Sequence, residues 1–308
     1  MRRYISLLFI VFVPPLLMPS LAAADTDLAR YKHLYVDVSA PDIQFQRVQP
    51  YLLGVVVSHL RSTNQFESVQ PWHEGLNSGL KLSLDVVVKE KFAWVSGFKD
   101  KALGTVSLTD IETNTILNES TIGGAGKRNL LWTIASSRPE GAMDELASNT
   151  AAWMGLTSSG FGTPAHWQVL PTPERVALAC SGFEGDRKGK GMNHKYSGKQ
   201  NSKKMCGYIE EALEGAGIEV SADAATKLGF DYLEHGQPKA GSNVTEYVVV
   251  GRWTLTDGQT VLLQDVLTSR AHNQGFLGTI KRMKKTAEES LRAQADKAVL
   301  ALGWADST

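Results

Sequence analysis

The sequence predicts an α+β fold made of two tandem repeats, each running strand, helix, strand, strand, strand, helix, with the helices packed on a mostly antiparallel sheet. The first observation is an internal match, in which VSLTDIETNTILNESTIGG at 106–124 aligns without gaps with VLLQDVLTSRAHNQGFLGT at 261–279. In both segments alternating apolar residues precede a polar turn and a second extended run, which is typical of a β-hairpin. The second observation is that the segments on either side of the two hairpins also correspond in order and in pattern.

Each repeat is expected to begin with a strand, a helix and a second strand. HLYVDVS at 33–39 and RVALACS at 175–181 are short, alternating and β-branched, as strands are. The segments 50–69 and 204–221 then each predict a helix, a turn and a strand. Pro50 suits the first turn of its helix, because a proline there gives up only an N–H that would have no helical partner.

The remaining strands and the last helix of each repeat follow in the same order. Apolar, β-branched runs at 80–88 and 246–255 precede the two hairpins and predict strands. Helices are predicted at 143–156 and 287–304. The second of these repeats apolar residues at three- and four-residue steps, which gives one apolar helix face: Leu291, Ala295, Ala298, Val299 and Leu302. Trp153 and Trp304 close the equivalent helices, which favours packing in the core.

The first residues are typical of a secretory signal peptide. Met1-Arg2-Arg3 is positive, residues 4–17 are almost wholly apolar, and Ala22-Ala23-Ala24 offers a cleavage site. We expect a signal peptide at 1–24, cleavage near Ala24 and a periplasmic mature protein. An uncleaved membrane anchor is the alternative, although the run is shorter than the ~20 apolar residues that a span needs.

The predicted organisation of the mature chain has three parts. The first α+β repeat domain is expected at 25–156 and the second at 174–308. The linker between them, at 157–173, is rich in Gly, Ser, Thr and Pro, which stop regular structure.

The repeats resemble a family of bacterial envelope domains. The matching residues are YVVVG at 247–251 with Leu263, Asp265 and Thr268 in the second repeat, and Leu108, Asp110 and Thr113 in the first. The family includes the amino-terminal domain of TolB, the periplasmic core of CsgG and LpoB-type activators of penicillin-binding proteins, and the middle domain of a flagellar assembly protein is similar too. The resemblance implies a non-catalytic part of an envelope machine. This chain lacks a lipobox cysteine, a propeller and a pore segment, so the resemblance does not carry over anchoring or pore formation.

Cys180 and Cys206 are the two cysteines of the chain. In an exported protein such a pair predicts a disulfide, with two unpaired thiols as the alternative. Two cysteines with only His194 between them do not match the paired-ligand spacing of a metal site.

The segment 184–204 is glycine-rich and basic. It does not match a Walker loop, because three residues rather than four separate Gly185 from Gly189-Lys190, and Gly191 stands where Ser or Thr is required. The segment is expected to be either a solvated loop or a binding site for an anionic glycan, membrane surface or acidic protein. Its basic residues are Arg187, Lys188, Lys190, Lys195, Lys199, Lys203 and Lys204.

Composition and the absence of motifs narrow the function. Lys plus Arg and Asp plus Glu number 32 each, so whole-chain charge indicates no nucleic-acid partner. No Gly-x-Ser-x-Gly elbow, paired histidines or cofactor motif is found. Asp110 and Asp265 are interpreted as equivalent turn-fixing residues. Trp94 and Trp132 lie in segments that the repeats do not share, so they are candidate anchors for a protein partner.

Three functions remain from these observations. The first is a non-catalytic periplasmic protein that acts by protein–protein contact in assembling or regulating a secretion, flagellar, polysaccharide or peptidoglycan apparatus. The second is a module that binds an anionic envelope polymer or lipid head group through residues 187–204. The third is a hydrolase of unknown type. The sequence does not indicate an oligomeric state.

Overall fold

Two five-stranded sheets, each accompanied by two helices, form the part of the chain that the structure describes. The computed structural model describes residues 27–40, 48–93, 97–127, 140–162, 167, 171–182, 199–238, 244–274 and 279–304. The predicted signal peptide, 1–24, lies outside these residues.

The first unit contains five strands in the order β2-β1-β3-β4-β5. Strand β1 pairs in parallel with both β2 and β3, because α1 carries the chain back over the sheet after β1. Strands β3, β4 and β5 are antiparallel neighbours. The elements are β1 (His33–Ser39), α1 (Val48–Arg61), β2 (Ser68–Pro71), β3 (Leu80–Ala93), β4 (Gly97–Asp110), β5 (Thr115–Lys127) and α2 (Glu140–Trp153), after a short 3-10 helix at Leu28–Arg30.

The second unit repeats this topology, with strand order β10-β9-β8-β6-β7. Its elements are β6 (Arg175–Gly182), α3 (Lys199–Gly215), β7 (Glu219–Val220), β8 (Thr226–Pro238), β9 (Val244–Asp257), β10 (Thr260–Gln274) and α4 (Thr279–Ala301). The predicted α+β class with two tandem repeats is therefore confirmed. Each unit has one strand more than expected, and each sheet is mixed, with parallel pairs at one side and antiparallel pairs at the other.

The internal match aligned residues that are not equivalent. Asp110 ends β4 and pairs with the first residue of β3, and Asp257 ends β9 and pairs with the first residue of β8. Asp110 therefore corresponds to Asp257, whereas Asp265 lies within β10. The gap-free alignment failed because it set a strand, turn and strand against the single strand β10. The equivalent segments share Gly-x-x-x-Leu-Thr-Asp, at 104–110 and 251–257.

Helix α1 lies between the two sheets. Its residues Tyr51, Leu52, Val55, Val56, Val57 and Leu60 are all buried. One core cluster joins them to the inward face of the first sheet and also to Val248, Val250 and Val266 of the second sheet. Helices α3 and α4 pack on the other face of the second sheet, around Trp253 and Leu291. The protein therefore has four layers in this order: the first sheet, helices α1 and α2, the second sheet, and helices α3 and α4.

Gly54 allows α1 to approach the second sheet closely. A Cβ atom at this position would lie 2.2 Å from Val250 Cγ1, which is closer than such atoms can come. The Thr268 hydroxyl donates a 3.0 Å hydrogen bond to the Gly54 carbonyl oxygen across the same contact. The contact between the two units is therefore built from backbone as well as from side chains.

Arg61, the last residue of α1, connects the units at their sheet edges. Its guanidinium donates to the Val69 carbonyl oxygen on β2 at 2.9 Å and to the Val266 carbonyl oxygen on β10 at 2.6 Å. It also donates to Asp265 Oδ2 at 2.5 Å, and the two side chains are only 4% and 1% exposed. Arg61 therefore links α1 and the edge strand β2 to the edge strand β10, through a buried ion pair and backbone hydrogen bonds.

The segment that connects the units packs against both of them. Gly162 N–H donates to the Ser58 carbonyl oxygen on α1 at 2.8 Å. Trp167 is buried in the second core, and its Nε1–H donates to Asp265 Oδ2 at 2.6 Å. The second unit begins its first strand at Arg175. The domain boundaries proposed from the sequence, with a linker at 157–173, stay a prediction.

Candidate interaction surface

The face of the first sheet that points away from α1 and α2 is exposed to solvent. Along β3, Leu82, Leu84 and Val86 face the core and are buried, whereas Asp85 and Val87 between them are exposed. This alternation follows from the period of two in a strand. We call this surface the outer face, and its exposed residues include Asp85, Val87, Lys101, Leu103 and Thr105.

An apolar pair lies in the centre of the outer face. Val87 and Leu103 are directly opposite in the β3–β4 register, and they are 50% and 43% exposed. Gly123 is the next residue across on β5, and it leaves the surface beside Leu103 flat. Val87 and Leu103 therefore form a small exposed apolar pair on this sheet face.

An aromatic and cationic cluster lies at the β2 side of the same face. The Tyr35 and Trp72 rings meet edge to face, with centroids 6.3 Å apart. Lys81 Nζ lies 4.4 Å from the centre of the Trp72 ring and 2.8 Å from Asp37 Oδ2. Burial raises the pKa of Tyr35 above its ordinary value. Because these contacts hold Trp72 in place, its side chain would lose little conformational freedom when a partner binds.

The predicted binding residues fall largely beyond the part of the chain that the structure describes. Trp94 and Trp132 lie outside the described residues, and so do Arg187, Lys188, Lys190 and Lys195. Lys199, Lys203 and Lys204 belong to the first turns of α3 and not to a loop, and the side chain of Lys204 is exposed. The binding roles given to these residues stay predictions.

The predicted disulfide is present. Cys180 on β6 and Cys206 on α3 are bonded, with their Cα atoms 5.8 Å apart. The bond joins the middle of α3 to β6, next to the edge of the second sheet. The predicted basic segment, 184–204, lies between the two cysteines in the sequence.

The two aspartates that the sequence paired have different roles. Asp110 accepts from Tyr31 Oη at 2.6 Å and from the Thr113 backbone N–H at 3.1 Å, and the Tyr31 bond is the main cause that lowers its pKa. Burial raises the pKa of Asp265, while the Arg61 charge and the Val266 N–H act against that shift. The equivalence predicted for Asp110 and Asp265 is wrong, although each does accept from a nearby backbone N–H.

A histidine and a serine meet where the connecting segment crosses α1. His59 Nδ1 and Ser158 Oγ form a 2.7 Å hydrogen bond, and Ser158 Oγ also lies 2.8 Å from Ser62 Oγ. Burial, with a smaller contribution from the Arg270 charge, lowers the pKa of His59 to about 4. In the described part of the chain no carboxylate hydrogen-bonds to this ring, which a Ser-His-Asp triad would require. The contact therefore resembles a packing contact and not an activated nucleophile.

The low pKa of His59 predicts acid sensitivity of the fold. An unfolded histidine titrates near 6.5, so below that pH the unfolded chain binds a proton that the folded protein, with a pKa of about 4, does not bind. The free energy of unfolding should therefore fall by about 2 kcal/mol from this group as the pH drops from about 7 to about 5. Urea unfolding at several pH values measures this change. In His59→Asn, which keeps a polar atom near the Nδ1 position, the free energy of unfolding should depend less steeply on pH than in the parent protein.

The exposed His73 provides the matched control for this measurement. His73→Asn should leave the pH dependence as it is in the parent protein. If the free energy of unfolding depended on pH equally in His59→Asn and in the parent, burial of His59 would not be the cause of the acid sensitivity.

Two features are absent from the residues that the structure describes. Within them, no group of three or more His, Cys, Asp or Glu side chains is placed to hold a metal ion. In the same part of the chain, no helix combines the length and the apolar character that crossing a membrane requires.

No protein-family model and no curated protein matches the sequence. Solved structures match in part, and they include a minor lipoprotein from Acinetobacter baumannii, with 13% identity over 42% of this chain and 92% of that chain and a TM-score of 0.32. The rare lipoprotein B from Shewanella oneidensis matches with 9% identity over 42% of this chain and 93% of that chain, at a TM-score of 0.31. PelC from Paraburkholderia phytofirmans, solved as a dodecamer, matches with 14% identity over 42% and 91%, at 0.26.

Several of the matching structures are named as bacterial lipoproteins. At these TM-scores the matches carry no argument about what this chain does. The candidate surface consequently rests on the geometry of the outer face alone.

Proposed function

We propose that this protein is a non-catalytic, exported envelope protein that acts by contact with a partner protein through the outer face of its first sheet. The partner would offer an apolar patch to Val87 and Leu103 and would also contact the ordered Trp72 ring at the β2 side of the same face. The observation that carries this proposal is the exposed apolar pair on the sheet face opposite α1 and α2.

The layered fold supports this choice of surface. The second sheet packs against α1 on one face and against α3 and α4 on the other. The first sheet packs against α1 and α2 on its inward face, while Asp85, Val87, Leu103 and Thr105 remain exposed on the outward face. Aromatic anchors and flat apolar centres supply much of the energy of protein interfaces.

The proposed location is the periplasm, and the signal peptide predicted at 1–24 and the resemblance to envelope domains support it. A second candidate is binding of an anionic envelope polymer or lipid head group through residues 187–204, and the exposed Lys204 at the start of α3 favours it. A hydrolase is disfavoured, because Ser158 shares its hydroxyl with Ser62 and its histidine partner is buried with a depressed pKa.

Site-specific photo-crosslinking in the intact cell envelope tests the proposal. Replacing Leu103 by p-benzoylphenylalanine should give one reproducible protein adduct after illumination, because Leu103 lies at the centre of the outer face. Adding Val87→Asp should strongly reduce the yield of that adduct, since a charge would then lie opposite the crosslinking position.

Leu300 on α4 is the matched control position, because it is also a large exposed apolar residue, at 39%. It lies in the helix layer beyond the second sheet, far from the outer face. The same adduct from position 300, or an adduct from position 103 that Val87→Asp does not change, would contradict the proposed surface.

A further inference from the structure

Strand β5 forms one edge of the first sheet, and β4 is the strand that pairs with it. The Ala125 N–H donates to Glu145 Oε2 on α2 at 3.0 Å, so Ala125 points its backbone groups away from β4. This direction alternates along an antiparallel strand. The backbone groups of Gly123, Thr121 and Glu119 therefore also point away from the sheet.

Helix α2 covers one end of this edge and leaves the middle open. Asn149 Nδ2 donates to the Gly123 carbonyl oxygen at 2.6 Å. From the described residues no hydrogen bond reaches the N–H or C=O of Thr121 or Glu119, and both residues are exposed. We call residues 119–123, about 16 Å of strand, the open edge. Its unpaired donors and acceptors are those to which another strand can add.

The second sheet closes the equivalent position with side chains. Thr121 and Val266 are equivalent, because each pairs with the residue that follows the first glycine of the shared Gly-x-x-x-Leu-Thr-Asp segment. The Val266 carbonyl oxygen accepts from Arg61 at 2.6 Å, and its N–H donates to Asp265 Oδ1 at 2.7 Å. Among the described residues Thr121 has no such partners. The fold thus satisfies this edge position in one sheet and leaves it unpaired in the other.

The side chains beside the open edge indicate what kind of strand fits. Ile116, Glu119 and Thr121 lie on the outward side of β5, because each pairs with an outward residue of β4. Ile116 is 59% exposed. The segment 115–125 contains one acidic residue and no basic residue. A strand that pairs here is therefore favoured by a cation opposite Glu119 and an apolar residue near Ile116.

We propose that the open edge binds an extended basic segment of a partner protein as a further strand of the first sheet. An extended chain supplies the alternating N–H and C=O groups that residues 119–123 lack, and its alternate side chains provide selectivity. A second copy fits less well, because its β5 offers no cation to Glu119 and a stable dimer needs roughly 1,200 Å² of buried surface. The open edge excludes Val87 and Leu103, so this contact and the proposed face contact can fail independently.

A fluorescein-labelled peptide, acetyl-Val-Thr-Val-Thr-Lys-Thr-Val-amide, tests the inference on the mature protein purified after export. The peptide places a lysine and valines on one side of an extended strand. Its fluorescence anisotropy should rise with protein concentration, with a dissociation constant below about 1 mM. The same peptide with every backbone nitrogen methylated keeps its side chains but has no N–H donors, and it should not bind.

Amide hydrogen exchange, followed by NMR, locates the bound peptide. In the free protein the N–H groups of Glu119 and Thr121 should exchange quickly, whereas those of Ser120 and Ile122 face β4 and should exchange slowly. At a peptide concentration about ten times the dissociation constant, exchange at Glu119 and Thr121 should slow roughly tenfold. Exchange at Ser120 and Ile122 should stay the same.

Two substitutions test the edge itself. Thr121→Pro removes an N–H that faces solvent, and it should weaken peptide binding about tenfold. Glu119→Lys should weaken binding about fivefold at low salt, because it sets like charges opposite each other. Glu219→Lys is the matched control, since Glu219 is also an exposed glutamate on an edge strand, β7 of the second sheet, and this variant should bind like the parent.

Thermal unfolding shows whether the variants keep the fold, and Glu119→Lys together with the exchange pattern decides the question if Thr121→Pro does not fold. Equal binding of the methylated peptide, equal effects of Glu119→Lys and Glu219→Lys, or protection without alternation would overturn the proposal. An absence of binding up to about 1 mM peptide would also overturn it. Dimers of the parent that Thr121→Pro abolishes would assign the open edge to a second copy and overturn the assignment to a partner protein.

Discussion

Arg61→Ala is expected to lower the free energy of unfolding by about 3–5 kcal/mol, since removing one partner of a buried ion pair leaves the other charge unpaired. Asp265 would keep only the Trp167 and Val266 N–H donors, and the carbonyl oxygens of Val69 and Val266 would lose theirs. Urea unfolding, followed by tryptophan fluorescence because Trp167 contacts Asp265, measures the change.

Two variants show whether the effect comes from the buried charge. Arg61→Met combined with Asp265→Leu should be less destabilised than Arg61→Ala, because an apolar pair replaces the ion pair without leaving a charge behind. Lys32→Ala breaks the ion pair with Glu67, whose side chains are 69% and 61% exposed, and it should have little effect. If Arg61→Ala were as mild as Lys32→Ala, Arg61 would not connect the two units.

Loss of the disulfide is expected to cost about 3 kcal/mol, because it closes a loop with a sequence separation of 26 residues. Cys180→Ala with Cys206→Ala should unfold at a lower urea concentration than the oxidised parent. Treatment of the parent with a reductant should lower its midpoint to a similar value.

Thiol labelling provides the direct check on this bond. In the unfolded, unreduced parent neither cysteine should react with a maleimide, and both should react after reduction. A double alanine variant as stable as the oxidised parent would show that the disulfide contributes no stability, and labelling without reductant would show that it does not form.

The order of the helices and of most strands could be predicted because their signals are local. His33–Ser39 was predicted with the bounds that the structure has, since its alternation is complete within seven residues. Strand β8 was missed even though Leu228, Phe230 and Tyr232 alternate and are buried, because Asp231 and nearby charged residues weakened the apolar pattern. The shared Gly-x-x-x-Leu-Thr-Asp segment would have given the correct alignment of the repeats.

The surface could not be predicted from the sequence because it depends on contacts between distant residues. Val86 and Val87 look equivalent in the sequence, yet one is 1% and the other 50% exposed, because helices cover only one face of the sheet. The Arg61 and Asp265 contact joins residues separated by 204 positions.

The position of α1 between two sheets has a consequence for the time at which the chain folds. The ribosome makes α1 long before it makes β9 and β10, so the side of α1 that later covers Val248, Val250 and Val266 remains uncovered during synthesis of some two hundred residues, about ten seconds or more at typical rates of elongation. During that interval the first unit has an exposed apolar surface, which in the folded protein is covered by the second unit of the same chain. A chain cut between the units would keep that surface permanently and would be prone to associate with other copies.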